Sequence, residues 1–249
     1  MSHHIVQATD LHYTYPDGTR ALRGVSFLIT HGESVALIGA NGAGKSTLLM
    51  HMNGILLPES GELVIGDRPL SRETVHEIRR TVGMVFQESD DQLFMPTVFD
   101  DVAFGPINMG LPAGVVREKV RQTLETVGAL HLADRPTHRL SGGEKRAVAI
   151  ATVLSMSPDI LVMDEPASNL DPKSRRRLIG LLRGFAHTKI IATHDLDMAL
   201  DLCDRTIVLF DGSVAADGET GTILRDDDLL GRCGLERPLC LQGCRDTGT

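Results

Sequence analysis

Apolar and polar residues alternate in blocks along the chain, and these blocks predict an α/β fold. Near the N-terminus the apolar runs VSFLI, SVALIG and GELVIG predict strands, and KSTLLMHMNG, after the second run, predicts a helix that ends at Gly54. Later, the runs DILVM, KIIAT and TIVLF alternate with predicted helices over 172–186 and 195–203. This strand-helix-strand order is typical of a buried parallel sheet.

The middle of the chain has a helical pattern instead. Its clearest stretch, AGVVREKVRQTLETVGAL, places Val116, Val120, Leu124 and Val127 at steps of three and four residues. Apolar residues at those steps share one face of a helix. We therefore expect a helical insert over about 88–157.

These patterns predict one domain over 1–225, with a core made of about 1–87 and 158–225 around the helical insert. The remaining residues, 226–249, are polar and rich in Gly, Cys and Arg without a clear period. We expect them to form a loosely attached tail.

Charge argues against a protein that grips a polyanion over a wide surface. The chain has 25 basic and 33 acidic residues and a net charge of -8, which is the wrong sign for extensive phosphate contacts. We expect no nucleic-acid partner. No apolar stretch approaches the roughly 18 residues of a membrane span, and the start lacks a signal-peptide layout, so we expect a cytosolic chain.

The four cysteines do not form paired CxxC motifs. Cys203 stands alone, and Cys233, Cys240 and Cys244 lie near the end. We interpret them as reduced thiols rather than as a metal site. His3 and His4 receive no role.

Residues 39–47, GANGAGKST, satisfy the pattern G-x-x-x-x-G-K-[ST] between a predicted strand and a predicted helix. In this context the backbone N–H groups cradle phosphate oxygens, and the helix N-terminus adds partial positive charge. Lys45 is expected at the β and γ phosphates, Ser46 on Mg²⁺ and Thr47 on a phosphate. The set predicted to bind ATP here comprises Asn41, Gly42, Ala43, Gly44, Lys45, Ser46 and Thr47.

A second site is predicted where the run DILVM ends in Asp164 and Glu165. Ligands of α/β sheets bind at the carboxyl ends of the strands. Asp164 is expected to hold Mg²⁺, and Glu165 either polarises the attacking water as a general base or fixes the geometry of the step. His194 follows the next apolar run and is expected at the same edge.

The sequence LSGGEKR over 140–146 stands before the apolar helix RAVAIATVL and predicts a second anion site. At this point the chain resembles the ATP-binding-cassette (ABC) family, whose signature is LSGGQ, with Glu144 in place of Gln. The resemblance covers nearly the whole chain and implies a P-loop core, an antiparallel region near the N-terminus and a helical subdomain.

The resemblance also assigns roles one residue at a time. It implies that Tyr15 stacks on adenine, with Tyr13 as the competing aromatic, and that Gln87 is a catalytic and metal-contacting residue of the Q-loop. It makes His194 the switch histidine beside Glu165 and residues 168–171 the D-loop, in which Asn169 stands where Ala is common.

Family architecture further implies two copies meeting head to tail. Each ATP would lie between residues 39–47 of one copy and Ser141, Gly142 and Gly143 of the other. Since neither Glu165, His194 nor the signature is degraded in this sequence, a homodimer with two competent sites is expected.

The segment VGMVFQESDDQLFMPTVFDDVAFGPINMGL resembles the ATPase subunits of energy-coupling-factor importers, above all those for cobalt and nickel. This implies a transmembrane coupling protein, a substrate-binding membrane subunit and a position on the cytoplasmic side of the membrane. Asp90, Asp91 and Phe94 would shape the groove for the coupling protein. Cobalt is preferred over nickel by resemblance alone. A vitamin importer, an exporter ATPase, and a soluble ABC protein of DNA repair or translation are the alternatives.

Overall fold

The computed structural model describes residues 6–242, so His3, His4 and Cys244 lie outside the described residues. The strands are β1 Val6–Thr14, β2 Arg20–Ile29, β3 Ser34–Ile38, β4 Ser60–Ile65, β5 Arg68–Pro69, β6 Val82–Val85, β7 Ile160–Asp164, β8 Thr188–Ala192, β9 Arg205–Phe210 and β10 Ser213–Glu219. The helices are α1 Lys45–Met52, α2 Val75–Thr81, α3 Val98–Asn108, α4 Ala113–Thr126, α5 Gly142–Leu154, α6 Pro172–Arg183, α7 Leu196–Leu202, α8 Thr220–Ile223, α9 Asp227–Arg232 and α10 Leu239–Gln242.

Two sheets form the core, and together they confirm the predicted fold class. The first is antiparallel, with strand order β2-β1-β4-β5. The second has the order β10-β9-β3-β8-β7-β6 and is parallel except for β10, which pairs antiparallel with β9. All five residues of β3, of β7 and of β8 are buried, as expected for strands covered on both faces.

Successive residues of these strands pack into two different hydrophobic clusters. In β3, Val35 and Leu37 join the cluster that includes the antiparallel sheet and α1, whereas Ala36 and Ile38 join the cluster on the helical side. The alternation follows from the two-residue period of a strand. The parallel sheet is thus fixed from both faces, and its carboxyl edge is a rigid platform.

The helical region follows the predicted pattern. Val116, Val120 and Leu124 are the buried residues of α4, and Val127 is buried as its C-cap. The structure ends α6 at Arg183 rather than at the predicted residue 186, because Gly184 caps it. The division into core and inserted subdomain at 88–157 stays a prediction.

The expectation of a loosely attached tail is wrong for the described part of the tail. Helix α9 buries Leu229 and Leu230, and Cys233 after it is 2% exposed. All three belong to the cluster on the helical side of the parallel sheet. The segment has too few apolar residues to show a period, yet these few are enough to attach it to the core.

Within residues 6–242, no helix is both long enough and apolar enough to cross a membrane.

Candidate functional site

The loop between β3 and α1 depends on glycine at its last position. Gly44 adopts φ +102° directly before α1, and a Cβ there would lie 2.5 Å from the carbonyl oxygen of Ala21. Only glycine combines that dihedral angle with so close a backbone approach. The loop therefore turns tightly into the N-terminus of the helix.

Lys45 is the first residue of α1, and its side chain folds back over the loop. Its Nζ donates hydrogen bonds to the carbonyl oxygens of Gly39 (2.8 Å) and Ala40 (3.2 Å). Burial lowers the pKa of the Lys45 ammonium, and the carboxylates of Glu165 and Asp164 act in the opposite direction. The ammonium thus lies in the field of the two predicted acidic residues.

The two acids lie where β7 ends, as predicted. Asp164 is its last residue and is 5% exposed. Burial raises the pKa of this carboxyl, and a hydrogen bond with the Ser46 side chain opposes the shift. The predicted metal ligands Asp164 and Ser46 are therefore neighbours across the loop.

Glu165 has a strained backbone and a well-defined side chain. Its φ is +45°, which is costly for a residue with a Cβ. Its N–H donates to the carbonyl of Ala192 at 2.8 Å. The carboxylate accepts hydrogen bonds from Thr193 Oγ1 (3.3 Å) and from the His194 N–H (3.2 Å), and His194 Nδ1 lies 2.8 Å from the same oxygen. Strands β7 and β8 thus bring Glu165 and His194 together.

Tyr13 and Tyr15, the two candidates for stacking on adenine, lie in different surroundings. Tyr15 lines the cavity at the loop, and its hydroxyl lies 3.0 Å from Thr47 Oγ1. Tyr13 packs edge-on between the rings of Tyr15 and His51 and against the hydrophobic core. Of the two, Tyr15 is the one that a ligand of the loop can reach, while its role towards adenine stays a prediction.

His51 lies behind the loop, on the buried side of α1, and is 0% exposed. Its Nδ1 lies 2.7 Å from the carbonyl oxygen of Thr47. Burial lowers the pKa of this imidazole, and the hydrogen bond to Thr47 offsets part of the effect. The ring is therefore neutral near pH 7, with Nδ1 donating.

One cavity of about 630 Å³ brings most of the predicted residues together. Its lining includes Tyr15, Asn41, Gly42, Gly44, Lys45, Ser46, Thr47, Gln87, Asp164, Glu165 and His194. Ala43 is buried below the loop and does not line it. A ligand in this cavity meets the loop at 39–47, both acids and His194 at once.

The signature residues lie elsewhere. Ser141 and Gly143 line a separate cavity of about 440 Å³, and Gly142 lines neither cavity. Ser141 is the N-cap of α5, and its Oγ accepts a hydrogen bond from the Glu144 N–H. In return, the Glu144 carboxylate accepts one hydrogen bond from the Ser141 N–H and one from the Ser141 hydroxyl, both at 2.8 Å. The hydrogen bond from the Ser141 N–H, followed by that from its hydroxyl, lowers the pKa of Glu144.

The signature and the predicted D-loop are in contact. A Cβ at Gly143 would lie 2.7 Å from Ser174 Oγ, which in turn donates to Asp171, the N-cap of α6. Asn169 has φ +61°, a left-handed conformation that Asn tolerates better than most residues. The backbone of the D-loop thus explains why Asn fits where the family commonly has Ala.

The sequence interpretation missed a functional link at Arg146. This side chain is 5% exposed, and its guanidinium donates to the carbonyl of Phe86 at 2.7 Å and to the carbonyl of Gln87. Arg146 therefore holds the backbone of Gln87 from α5. The available signal is that Arg146 directly precedes the apolar stretch AVAIATVL of α5.

Comparisons with known proteins agree with this geometry. A family model described as ABC transporter matches residues 22–168. A putative ABC transporter ATP-binding protein of Geobacter sulfurreducens is 66% identical over 98% of this chain and 98% of its own length. The energy-coupling factor transporter ATP-binding protein EcfA of Methanocaldococcus jannaschii is 43% identical over 94% of this chain and 86% of its own length.

Two solved structures are similar throughout. CbiO1 from Clostridium perfringens, described as part of the ABC transporter complex cbiONQ, has a TM-score of 0.81 and 40% identity, covering 92% of this chain and 94% of its own. A dimeric ATP-binding cassette in a post-hydrolysis state, bound to ADP and phosphate, has a TM-score of 0.80 and 28% identity, covering 86% of this chain and 98% of its own.

Burial of His51 leads to a prediction about pH. Because the folded state lowers the pKa of this imidazole from 6.5, the unfolded chain binds the proton more readily, and the stabilisation is lost as the pH falls below that value. The compared quantity is the free energy of unfolding of the native chain minus that of the His51→Gln variant. Lowering the pH from about 7.5 to 5.5 should reduce this difference by up to about 1.4 kcal/mol.

Urea unfolding of both proteins at the two pH values measures this difference. The matched control is His76→Gln, since His76 is exposed on α2, and it should keep the pH dependence of the native chain. Equal pH dependence in native chain and His51→Gln would show that His51 is not the group responsible.

Proposed function

We propose that this chain, which belongs to the ABC transporter family as an ATP-binding subunit of the energy-coupling factor type, hydrolyses ATP to power import of a transition-metal ion, with cobalt as the cargo. It acts as a homodimer on the cytoplasmic side of the cell membrane, attached to membrane subunits.

The observation that carries the proposal is the convergence of six side chains on one cavity. Lys45, Ser46, Gln87, Asp164, Glu165 and His194 come from four separated segments of the chain and all line it. Phosphoryl transfer is catalysed mainly by positioning and electrostatic stabilisation, which such an arrangement supplies.

The residues present fit a magnesium ion. The Ser46 hydroxyl and the Asp164 carboxylate are hydrogen-bonded neighbours, which puts two oxygen donors side by side, and Gln87 offers a third oxygen on the same cavity. When bound with ATP, the ion neutralises charge on the phosphate oxygens.

The roles of the protein groups follow from their contacts. The Lys45 ammonium exchanges its bonds to the Gly39 and Ala40 carbonyls for bonds to phosphate oxygens. Glu165 is the general base that accepts a proton from the attacking water. His194, whose side chain is 67% exposed, holds the Glu165 carboxylate and reaches toward the γ-phosphate.

The homodimer explains why the signature lies on a separate cavity. A signature from a second copy, bound head to tail, completes the site at the phosphate loop. The Ser141 hydroxyl then donates its hydrogen bond to a phosphate oxygen instead of to the Glu144 carboxylate. The dimeric form of the similar cassette bound to ADP and phosphate supports this assembly.

An exposed apolar patch on α3 and the loop before it supports a membrane partner. Phe94, Phe104 and Ile107 are 64%, 40% and 58% exposed, and the rings of Phe94 and Phe104 pack edge to face at 5.0 Å. Exposed apolar side chains grouped in this way are typical of protein interaction sites. We assign the patch to the transmembrane coupling protein, which adds Phe104 and Ile107 to the groove predicted from Asp90, Asp91 and Phe94.

Cobalt as cargo is supported by the resemblance of residues 82–111 to cobalt and nickel importers and by the similarity to CbiO1. The ATPase subunit does not contact the ion. The substrate-binding membrane subunit therefore determines the cargo.

The first prediction from this function concerns Glu165. Glu165→Gln keeps the size and hydrogen-bonding shape of the side chain but cannot accept the proton, so ATP turnover should fall by about two orders of magnitude or more. ATP binding should persist, and ATP-bound dimers should accumulate. Steady-state phosphate release and gel filtration with ATP measure both effects; near-normal turnover would contradict the role of Glu165.

The second prediction concerns the composite site. A mixed dimer contains one Lys45→Ala subunit and one Ser141→Arg subunit. Both substitutions fall in the same composite site, so the second composite site stays intact. The mixed dimer should hydrolyse ATP faster than either single-mutant homodimer, with one nucleotide retained per dimer. If all three dimers are equally inactive and none retains nucleotide, the head-to-tail arrangement is wrong.

The third prediction concerns the membrane partner. Phe94→Asp should abolish co-purification with membrane subunits from mild detergent and abolish uptake of radioactive cobalt by cells, because it places a charge in an apolar interface. ATP hydrolysis by the isolated chain should persist. The matched control is Phe210→Asp, since Phe210 is an exposed phenylalanine at the end of β9.

The outcomes of this experiment separate the parts of the proposal. Equal uptake by both variants would remove the patch from the interface. Uptake of nickel or of a vitamin in place of cobalt would correct the cargo and leave the coupling role intact. Recovery of nucleic acid or ribosomes with the chain would overturn transport altogether.

A further inference from the structure

Residues 233–242, here named the C-terminal strap, lie against the phosphate loop. Gly234 and Leu235 line the same cavity as Lys45 and Glu165. Gly234 passes close to Ala40, because a Cβ added at Gly234 would come within 3.7 Å of the Ala40 Cβ. The strap is thus part of the wall around the proposed ATP site, although neither the phosphate-loop motif nor the signature involves it.

Buried contacts anchor the near end of the strap. Leu230 and Cys233 are 1% and 2% exposed in the hydrophobic core. The Leu235 N–H donates to the Leu230 carbonyl at 2.8 Å, and the Arg237 guanidinium makes two hydrogen bonds, of 2.8 and 2.7 Å, to the carboxylate of Asp227. The backbone of the strap therefore has a fixed position beside the loop.

The far end of the strap is attached to α7, the helix that follows the cavity residue His194. The N–H of Cys240, in α10, donates to Asp197 Oδ1 at 3.0 Å. Asp197 belongs to the first turn of α7 and follows His194 by three residues. One short segment thus contacts both the phosphate loop and the helix that follows the proposed switch histidine.

We propose that the C-terminal strap is a positioning element of the nucleotide site. It supports the phosphate loop from outside at Ala40 and holds α7, so that the loop amides and His194 keep the geometry that binds a nucleoside triphosphate. Binding through inward-pointing amides depends on that geometry being formed in advance. This inference rests on the proposed function only in taking ATP as the ligand.

The first test compares two leucines of the strap in the full chain. Leu235→Ser removes the apolar contact at the cavity wall and should weaken binding of both ATP and ADP by about five-fold, raising KM with little change in kcat. Leu239→Ser is the matched control, because Leu239 is 75% exposed and does not line the cavity; its affinity should equal that of the native chain. Calorimetric titration with each nucleotide measures the affinities, and thermal unfolding checks the fold.

A second pair of variants tests the far end without altering an apolar residue. Asp197→Ala removes the acceptor of the Cys240 N–H and should weaken nucleotide binding by about two- to three-fold. Asp197→Asn keeps an acceptor oxygen at the same place and should restore most of the affinity. A purely structural role would instead lower the unfolding temperature in Asp197→Ala while leaving nucleotide affinity unchanged.

The experiments distinguish a wrong inference about the strap from a wrong proposed function. Because binding is measured without membrane partners or hydrolysis, unchanged affinity in both Leu235→Ser and Asp197→Ala overturns the inference about the strap alone. Absence of nucleotide binding by the native chain overturns both.

Discussion

Lys45, Asp164 and Glu165 lie buried at the carboxyl edge of the parallel sheet, each 8% exposed or less. Burial alone disfavours the charged forms. Burial lowers the pKa of the Lys45 ammonium and raises the pKa of the Asp164 carboxyl, and the attraction between ammonium and carboxylates opposes both shifts. Removing one partner leaves the others buried with less compensation, which is costly. These charges compensate one another only at short distances. The strand and the loop that carry them must therefore hold fixed positions.

The part of the site that depends on this constraint could be predicted from the sequence. Buried parallel strands read as continuous apolar runs, and the residues that follow two such runs must meet at one edge. That rule predicts that Glu165 and His194 lie close together, and the structure puts His194 Nδ1 2.8 Å from the Glu165 carboxylate. The loop at 39–47 was equally predictable, because its glycines have a backbone function that leaves a sequence pattern.

What the sequence could not predict are contacts between segments far apart in the chain. Arg146 and Phe86 lie 60 residues apart, and no periodicity connects a guanidinium with a distant backbone carbonyl. The tail departs from its predicted loose attachment for a related reason. Leu229, Leu230 and Cys233 are few among polar residues, and their burial is decided by the cleft that receives them rather than by a pattern of their own. Tertiary contacts therefore override local composition at this end of the chain.

The signature and the phosphate-loop cavity of one chain are separate in space but physically connected. Helix α5 begins at the signature, and Arg146 within it donates to the carbonyls of Phe86 and Gln87. Gln92 accepts from the Phe86 N–H and donates to a carbonyl of α5. A shift of α5 must carry Gln87 with it or leave the buried guanidinium without acceptors, which is the more costly alternative. Under the proposed function, phosphate that binds Ser141 in one copy therefore acts on Gln87, and so on the ATP site, of that same copy.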